Sequence, residues 1–196
     1  MIYQNLNDML RFRIYFILML AFISFVYLNG CKENKNNNRI TNEIKDITKS
    51  MLGRNISFPD SLLQKLQETE KSVLNKRNRP KIISVIAGNC ETCIKDFKKW
   101  EPYLKEMKLM GYNNNLFFIV EDVDASFFKK YYGEEAPTEL TLYFDKNQTF
   151  SKLNNLPHIK MLKTFMIDTN NEIILVGNPV HDRNLWNLYL EGLKIE

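Results

Sequence analysis

Cysteine and histidine are scarce in this chain, and the scarcity excludes several classes of protein. Three cysteines and two histidines occur among 196 residues. Cys31 stands apart, so the body of the chain has a single pair, Cys90 and Cys93. That rules out a multi-disulfide scaffold and a zinc site made of four cysteines. An excess of one charge is lacking too. The formal net charge is +4, and +3 once Arg11, Arg13 and Asp8 of the first thirty residues are set aside. So small and evenly spread a balance argues against a nucleic-acid partner. There is no internal repeat. The apolar run from Ile14 to Leu28, broken only by Ser24, is fifteen residues long, short of the roughly 20 that a spanning helix needs. A hydrophobic share of 44% still leaves an ordinary globular body with a real core, one domain plus accessory segments.

What the chain does have is one stretch around which the rest is organised, from Ile82 to Cys93, reading IISVIAGNCETC. The β-branched apolar run predicts a buried strand, Gly88-Asn89 the turn after it, and the two cysteines the start of an amphipathic helix. At a helix N-terminus the free backbone N–H groups and the macrodipole favour an anion, so a thiol there ionises more readily. The i, i+3 spacing brings the second sulfur back toward the first across one turn, close enough to form and break a disulfide.

Upstream, Arg11 and Arg13 followed by the apolar run suit a secretory signal. The run ends at Leu28-Asn29-Gly30-Cys31, which resembles a bacterial lipobox. That resemblance implies a lipoprotein signal peptide over 1–30 and lipidation of Cys31; Asn29 departs from it, since the position usually holds a smaller or apolar residue. An uncleaved anchor or an ordinary signal peptide are the alternatives, and each exports the body. Residues 31–50 read as a polar tether (KENKNNN) and the start of an N-terminal helix, and 51–196 as the main domain. Ile40, Ile44, Ile47 and Met51 share one helical face, with Thr41 as the expected cap and Gly53 as the stop. Asn55–Phe58 reads as a short edge strand. Asp60 is expected to cap a helix carrying Leu62, Leu63, Leu66 and Val73, and residues 76–81 form a basic loop.

After the cysteines, Ile94, Phe97 and Trp100 continue the helix, which Pro102 is expected to kink or end. Leu116–Val120 predicts a second buried strand and Asp124 a cap for a helix with Phe127, Phe128, Tyr131 and Tyr132. Leu140–Phe144 predicts a third strand, followed by a turn at 145–147. Thr164–Ile167 and Ile173–Val176 predict a hairpin, and a last helix from Asp182 carries Leu185, Trp186, Leu188, Tyr189 and Leu193.

This order resembles the thioredoxin-like superfamily, and in particular its membrane-tethered thiol–disulfide oxidoreductases of the thioredoxin and peroxiredoxin-like type, over roughly residues 50–196. The resemblance implies an α/β fold, a central mixed sheet flanked by helices with an N-terminal helical or extended embellishment. It implies Cys90 as the nucleophile that attacks a partner disulfide and Cys93 as the resolving thiol, the two closing as a Cys90–Cys93 disulfide. Asn89, Glu91, Thr92, Lys163 and Thr164 fall beside that site. Three features depart from the family pattern. Asn89 stands where a Trp often precedes the first cysteine. Lys163 occupies the place of the cis-proline, with Pro157 six residues upstream, and a trans loop is expected because a non-proline cis bond costs about 3–4 kcal/mol. The central strand holds Ser84 but no Asp or Glu, so no buried carboxylate is evident from it. Lys163 reads as a surface lysine at a strand start, or else as positive charge near the thiolate.

Three functions compete. The first is an exported, lipid-anchored thiol–disulfide oxidoreductase acting on partner proteins with cysteines or disulfides, on the periplasmic side or the cell surface, with no cofactor. The second is a copper-binding chaperone using the cysteines and His158 or His181; its family spacing has one residue more between the cysteines, and no metal site is assigned. The third is a binding or accessory module with weak turnover, consistent with the missing proline.

Overall fold

The structure, a computed structural model, describes residues 15, 17–19, 38–62, 79–112, 114–132 and 141–195. The lipobox and Cys31, the helix expected beyond residue 62 and residues 76–78 of the basic loop therefore lie outside the described residues. The chain divides into two compact units, residues 1–46 and 47–196. In the first, the described residues are helical, with Tyr15, Ile17, Leu18, Met19 and Ile40 exposed. Thr41 lies within this helix, since residues 38–40 are already helical; the expected cap is thus misplaced. No helix among the described residues is long and apolar enough to cross a membrane.

The second unit is built on a five-stranded mixed sheet. Its strands are β1 (Lys81–Ala87), β2 (Leu116–Glu121), β3 (Thr141–Asp145), β4 (Thr164–Ile167) and β5 (Ile173–Val176). The order across the sheet is β3-β2-β1-β4-β5. β1, β2 and β3 run parallel, whereas β4 is antiparallel to β1 and to β5. A strand packed on both faces has no polar side, and that is how β1 and β2 read: five of seven and six of six residues are buried. The β4–β5 hairpin turns on Asp168, whose carboxylate accepts the N–H groups of Asn170 and Glu172, each at 2.8 Å.

Helix α1 (Glu91–Lys98) follows β1, and α2 (Glu101–Leu109) follows at once. Pro102 lies in the first turn of α2, where its missing N–H costs nothing, so the expected break separates two helices. α1 buries Cys93, Ile94 and Phe97. Phe97 meets Phe118 of β2 edge-on at 4.7 Å, and Trp100 meets Phe118 at 5.3 Å. Trp186, on the last helix, lies 6.3 Å from Trp100 and 4.9 Å from Tyr103. Such pairs contribute about 0.5–1.5 kcal/mol each beyond area burial, and they tie α1, α2 and the C-terminal helix into one layer.

Helix α3 (Ala125–Tyr132) joins β2 to β3 and buries Phe128. The carboxylate of Asp124 accepts the Ser126 hydroxyl at 2.6 Å. A five-residue helix, α4 (Thr149–Leu153), follows β3 and was not expected. Asp145 accepts the Phe150 N–H at 2.7 Å and so starts it. The last helix is α5 (Arg183–Gly192), capped by Asp182, which accepts the N–H groups of Asn184 and Leu185. Of its expected apolar face, Trp186, Tyr189 and Leu193 are buried; Leu188 is instead half exposed. Before the sheet, residues 47–51 are helical with Met51 buried, and Gly53, at φ +77°, ends the helix. The edge strand expected at 55–58 is reduced to one antiparallel bridge, Asn55 with Glu172, flanked by bonds of Gly53 and Arg54 to Ile173 and of Ile56 to Asn171.

Candidate redox site

The parallel strands end together. Ala87 is in register with Glu121 of β2, and Glu121 with Asp145 of β3. At this edge β1 turns into α1. Gly88 makes the turn possible: its N–H donates to the Glu121 carbonyl at 2.8 Å, and a Cβ there would sit 2.2 Å from Val123. Asn89 is exposed.

Cys90 is the N-cap of α1, in extended conformation (φ −111°, ψ 109°). Its Sγ accepts the Cys93 N–H at 3.3 Å and lies 3.2 Å from the Thr92 hydroxyl. A helix begins here with a sulfur directed at its first-turn N–H groups. Cys90 and Cys93 are joined as a disulfide, their Cα atoms 5.2 Å apart. Cys90 is partly exposed, whereas Cys93, one turn in, is 8% exposed. The neighbouring charges largely cancel. Exposed Glu91 pairs with Lys95 at 2.7 Å, and the lysine's hydrogen bond, then its charge, lowers the carboxyl below its usual range.

Beside the sulfurs lies a cavity of about 190 Å³, walled by both cysteines, by Phe97 and Trp100, by residues 84–87 of β1, and by the segment leading into β4. Its buried polar wall is a hydroxyl pair, Ser84 and Thr164, 2.9 Å apart across the β1–β4 ladder. At its rim Asp96 of α1 pairs with Lys160 and, at 2.7 Å, with Lys99. Hydrogen bonds from Lys160 and then Lys99 bring the Asp96 carboxyl down to about 2.

Lys163 corrects the sequence reading. It follows a single 3-10 turn, Lys160–Leu162, and all described peptide bonds are trans, those flanking Lys163 and Pro157 included. Its carbonyl accepts the Val85 N–H at 2.9 Å, so the backbone is fixed as one more rung of the β1–β4 ladder. The side chain is no surface lysine: it is 19% exposed and its Nζ lies 3.2 Å from Glu121 Oε2. The physical reason is charge compensation, because Glu121 is itself 1% exposed and needs a cation. Sequence reasoning missed Glu121, the acid that holds Lys163. The absence of an acid on β1 holds, but the acid stands on the neighbouring strand, at the end of an otherwise apolar run.

His158, a candidate copper ligand, is exposed and lines the cavity. The side chain of His181 lies outside the described residues. Among the described residues no group of three or more histidine, cysteine or acidic side chains is placed to hold a metal ion.

No family model and no curated protein matches the chain. Solved structures do. The reduced N-terminal domain of PilB from N. meningitidis is 17% identical, with a TM-score of 0.45 over 62% of this chain and 85% of that one. The thioredoxin domain of a thiol-disulfide oxidoreductase from Bacteroides vulgatus is 13% identical, TM-score 0.43, over 59% and 80%. A putative thiol:disulfide interchange protein DsbE from Chlorobium tepidum is 19% identical, TM-score 0.42, over 59% and 81%. Likeness of this degree transfers no residue role. The architecture stands on the chain's own topology: a parallel β1–α1–β2 unit with the cysteines at its turn, and an antiparallel hairpin beside β1, which is the thioredoxin-like arrangement.

Proposed function

We propose that this chain is an exported, lipid-anchored thiol–disulfide oxidoreductase that acts on partner proteins. The observation that carries the reading is the asymmetry of the pair: one sulfur partly exposed at a helix start, the other buried one turn in against a cavity. In the reduced state the Cys90 thiolate attacks a partner disulfide, one partner sulfur leaves, and a mixed disulfide forms. Cys93 then attacks the Cys90 sulfur, releasing the partner's second thiol and closing the Cys90–Cys93 bond. Run backward, the same steps oxidise a partner dithiol, and the relative potentials decide the direction. The Thr92 hydroxyl, 3.2 Å from Cys90 Sγ, stabilises the thiolate. Export and anchoring rest on residues 1–31 alone, with the signal peptide removed and lipid on Cys31.

Trapping tests the chemistry. Cys93→Ser should accumulate a mixed disulfide through Cys90, and Cys90→Ser should not; insulin reduction by the parent protein should exceed that of either variant. Equal trapping through both sulfurs, or none, sinks the reading. For the anchor, Cys31→Ser should abolish labelling by a fatty-acid probe and release the protein from membranes; unchanged retention would remove the lipid. A second reading, an accessory module with weak turnover, is favoured by Lys163 at a trans bond in the place of a cis-proline. It predicts a pair that cycles reversibly but turns over no faster than a simple dithiol.

A further inference from the structure

The rim of the cavity beside the disulfide carries more positive than negative charge. Asp96 of α1 faces two ammonium groups, Lys160 from the segment before β4 and Lys99 from its own helix. One carboxylate offsets only one of them. Lys163, also at the cavity, is matched by Glu121, and on the outer face of α1 Lys95 is matched by Glu91. Among the described residues, the cavity and its paired neighbours thus set Lys99, Lys160 and Lys163 against Asp96 and Glu121, an excess of one cation to which His158 can only add. The excess faces solvent: the side chains of Lys99 and Lys160 are 52% and 47% exposed, that of Asp96 27%. It is also close to the chemistry. Asp96 and Lys160 line the same cavity as Cys90 and Cys93. Asp96 follows Cys93 by three residues, about 4.5 Å of helix on the same face, inside the roughly 8 Å over which charge acts at physiological salt. Half-exposed pairs of this kind add little to stability, and rim charges act mainly on the rate and selectivity of encounter.

We propose that Lys160 and Lys99 select the partner: the protein segment that reaches Cys90 carries acidic side chains beside its own cysteine. The inference rests on the redox reading above. A carboxylate next to the partner cysteine takes the share of the two ammonium groups that Asp96 leaves over. The acidic segment is therefore gathered at the cavity mouth and held there while the sulfurs exchange, whereas a basic segment is repelled. Asp96 sets the strength of the preference, because it is the one anion that competes with the partner for both lysines.

The experiment uses three disulfide-linked peptide dimers that differ only in the residues flanking the cysteine: glutamates, glutamines or lysines. The reduced full chain converts each dimer to two thiol peptides; the two electrons and two protons come from Cys90 and Cys93, which close as the disulfide. Flanking charge also alters a disulfide's own reactivity, so each rate is divided by that of the same dimer with dithiothreitol. At low salt the glutamate dimer should react about fivefold faster than the lysine dimer, with the glutamine dimer between them. In about 1 M salt, where charge acts over only about 3 Å, most of the difference should vanish. Lys99→Gln combined with Lys160→Gln should bring the glutamate-to-lysine ratio to one or below, and Asp96→Asn should raise it. Equal rates for the three dimers in the parent, or a preference that survives loss of both lysines, overturn the proposal. Should the double variant fail to fold, Asp96→Asn decides it: a wider preference supports the proposal, and an unchanged or narrower one ends it. A parent protein that reduces none of the dimers overturns the redox reading along with the inference, whereas one that reduces all three equally leaves that reading standing.

Discussion

Ser84 and Thr164 face each other in the ladder between β1 and β4, their hydroxyls 2.9 Å apart and both side chains buried. Each is the other's partner. Thr164→Val keeps the shape and strands the Ser84 hydroxyl, which should cost about 1–3 kcal/mol. Adding Ser84→Ala removes the stranded group as well, so the double variant should lose less than the sum of the singles. Urea unfolding of the oxidised protein measures the cycle, and strict additivity would mean that the two hydroxyls do not depend on each other.

Gly88 is held by space. The Cβ of Gly88→Ala would fall 2.2 Å from Val123 Cγ2 and 2.8 Å from Val120 Cγ1, an overpacking that costs about 1–3 kcal/mol. Val123→Ala makes room, so the pair of changes should recover part of what Gly88→Ala alone loses. Chemical denaturation of the three variants checks it; no recovery would place the strain elsewhere.

Asp96 ties the stability of the cavity rim to acid. Its carboxyl titrates near 2, below an ordinary 3.8, because Lys160 and Lys99 bond to the ionised form. A depressed folded value means that the contribution is complete above the unfolded value and is lost as pH falls toward 2. Solvent reaches the group, so screening holds the contribution to about 1 kcal/mol or less. Asp96→Asn should therefore be less stable than the parent at neutral pH and converge with it near pH 2, by thermal unfolding across pH. A constant gap between the two curves would argue against the pairing.

The reduced thiols should differ in kind. Cys90 caps α1 and should be the more acidic, below the roughly 8.5 of a free cysteine, whereas Cys93 is shielded by burial. Alkylation across pH, read site by site by mass spectrometry, should modify Cys90 first at every pH. Faster modification of Cys93, or no advantage of either over a model thiol at neutral pH, would contradict the assignment.

The site was legible where the chemistry is local. The run from Ile82 to Ala87, the Gly88 turn and the cysteines at α1 all follow from neighbouring residues, and so does the break at Pro102. What depends on distant pairing was not. Lys163 and Glu121 are 42 residues apart in sequence, and nothing in either segment says that they meet. Nor does periodicity say that β3 lies outside β2, or that Leu188 of α5 turns outward. The helix α4 has five residues, too few for a periodic signal, and its start depends on the side chain of Asp145.

The disulfide closes the smallest useful ring in the chain, across a separation of three residues. A cross-link stabilises chiefly by the freedom it takes from the unfolded chain; in that account a ring of four residues is worth about 2 kcal/mol and one of a hundred about 4.7. Cys93 is also held on α1 and in the core by the cluster it shares with Ile94, Phe97 and Trp100. Reduction should therefore lower the thermal midpoint by about 4–8 °C, a difference that calorimetry of the two forms would read, and loss of the cooperative transition on reduction would refute it. The bond is separate from the scaffold: it can open and close while the fold persists.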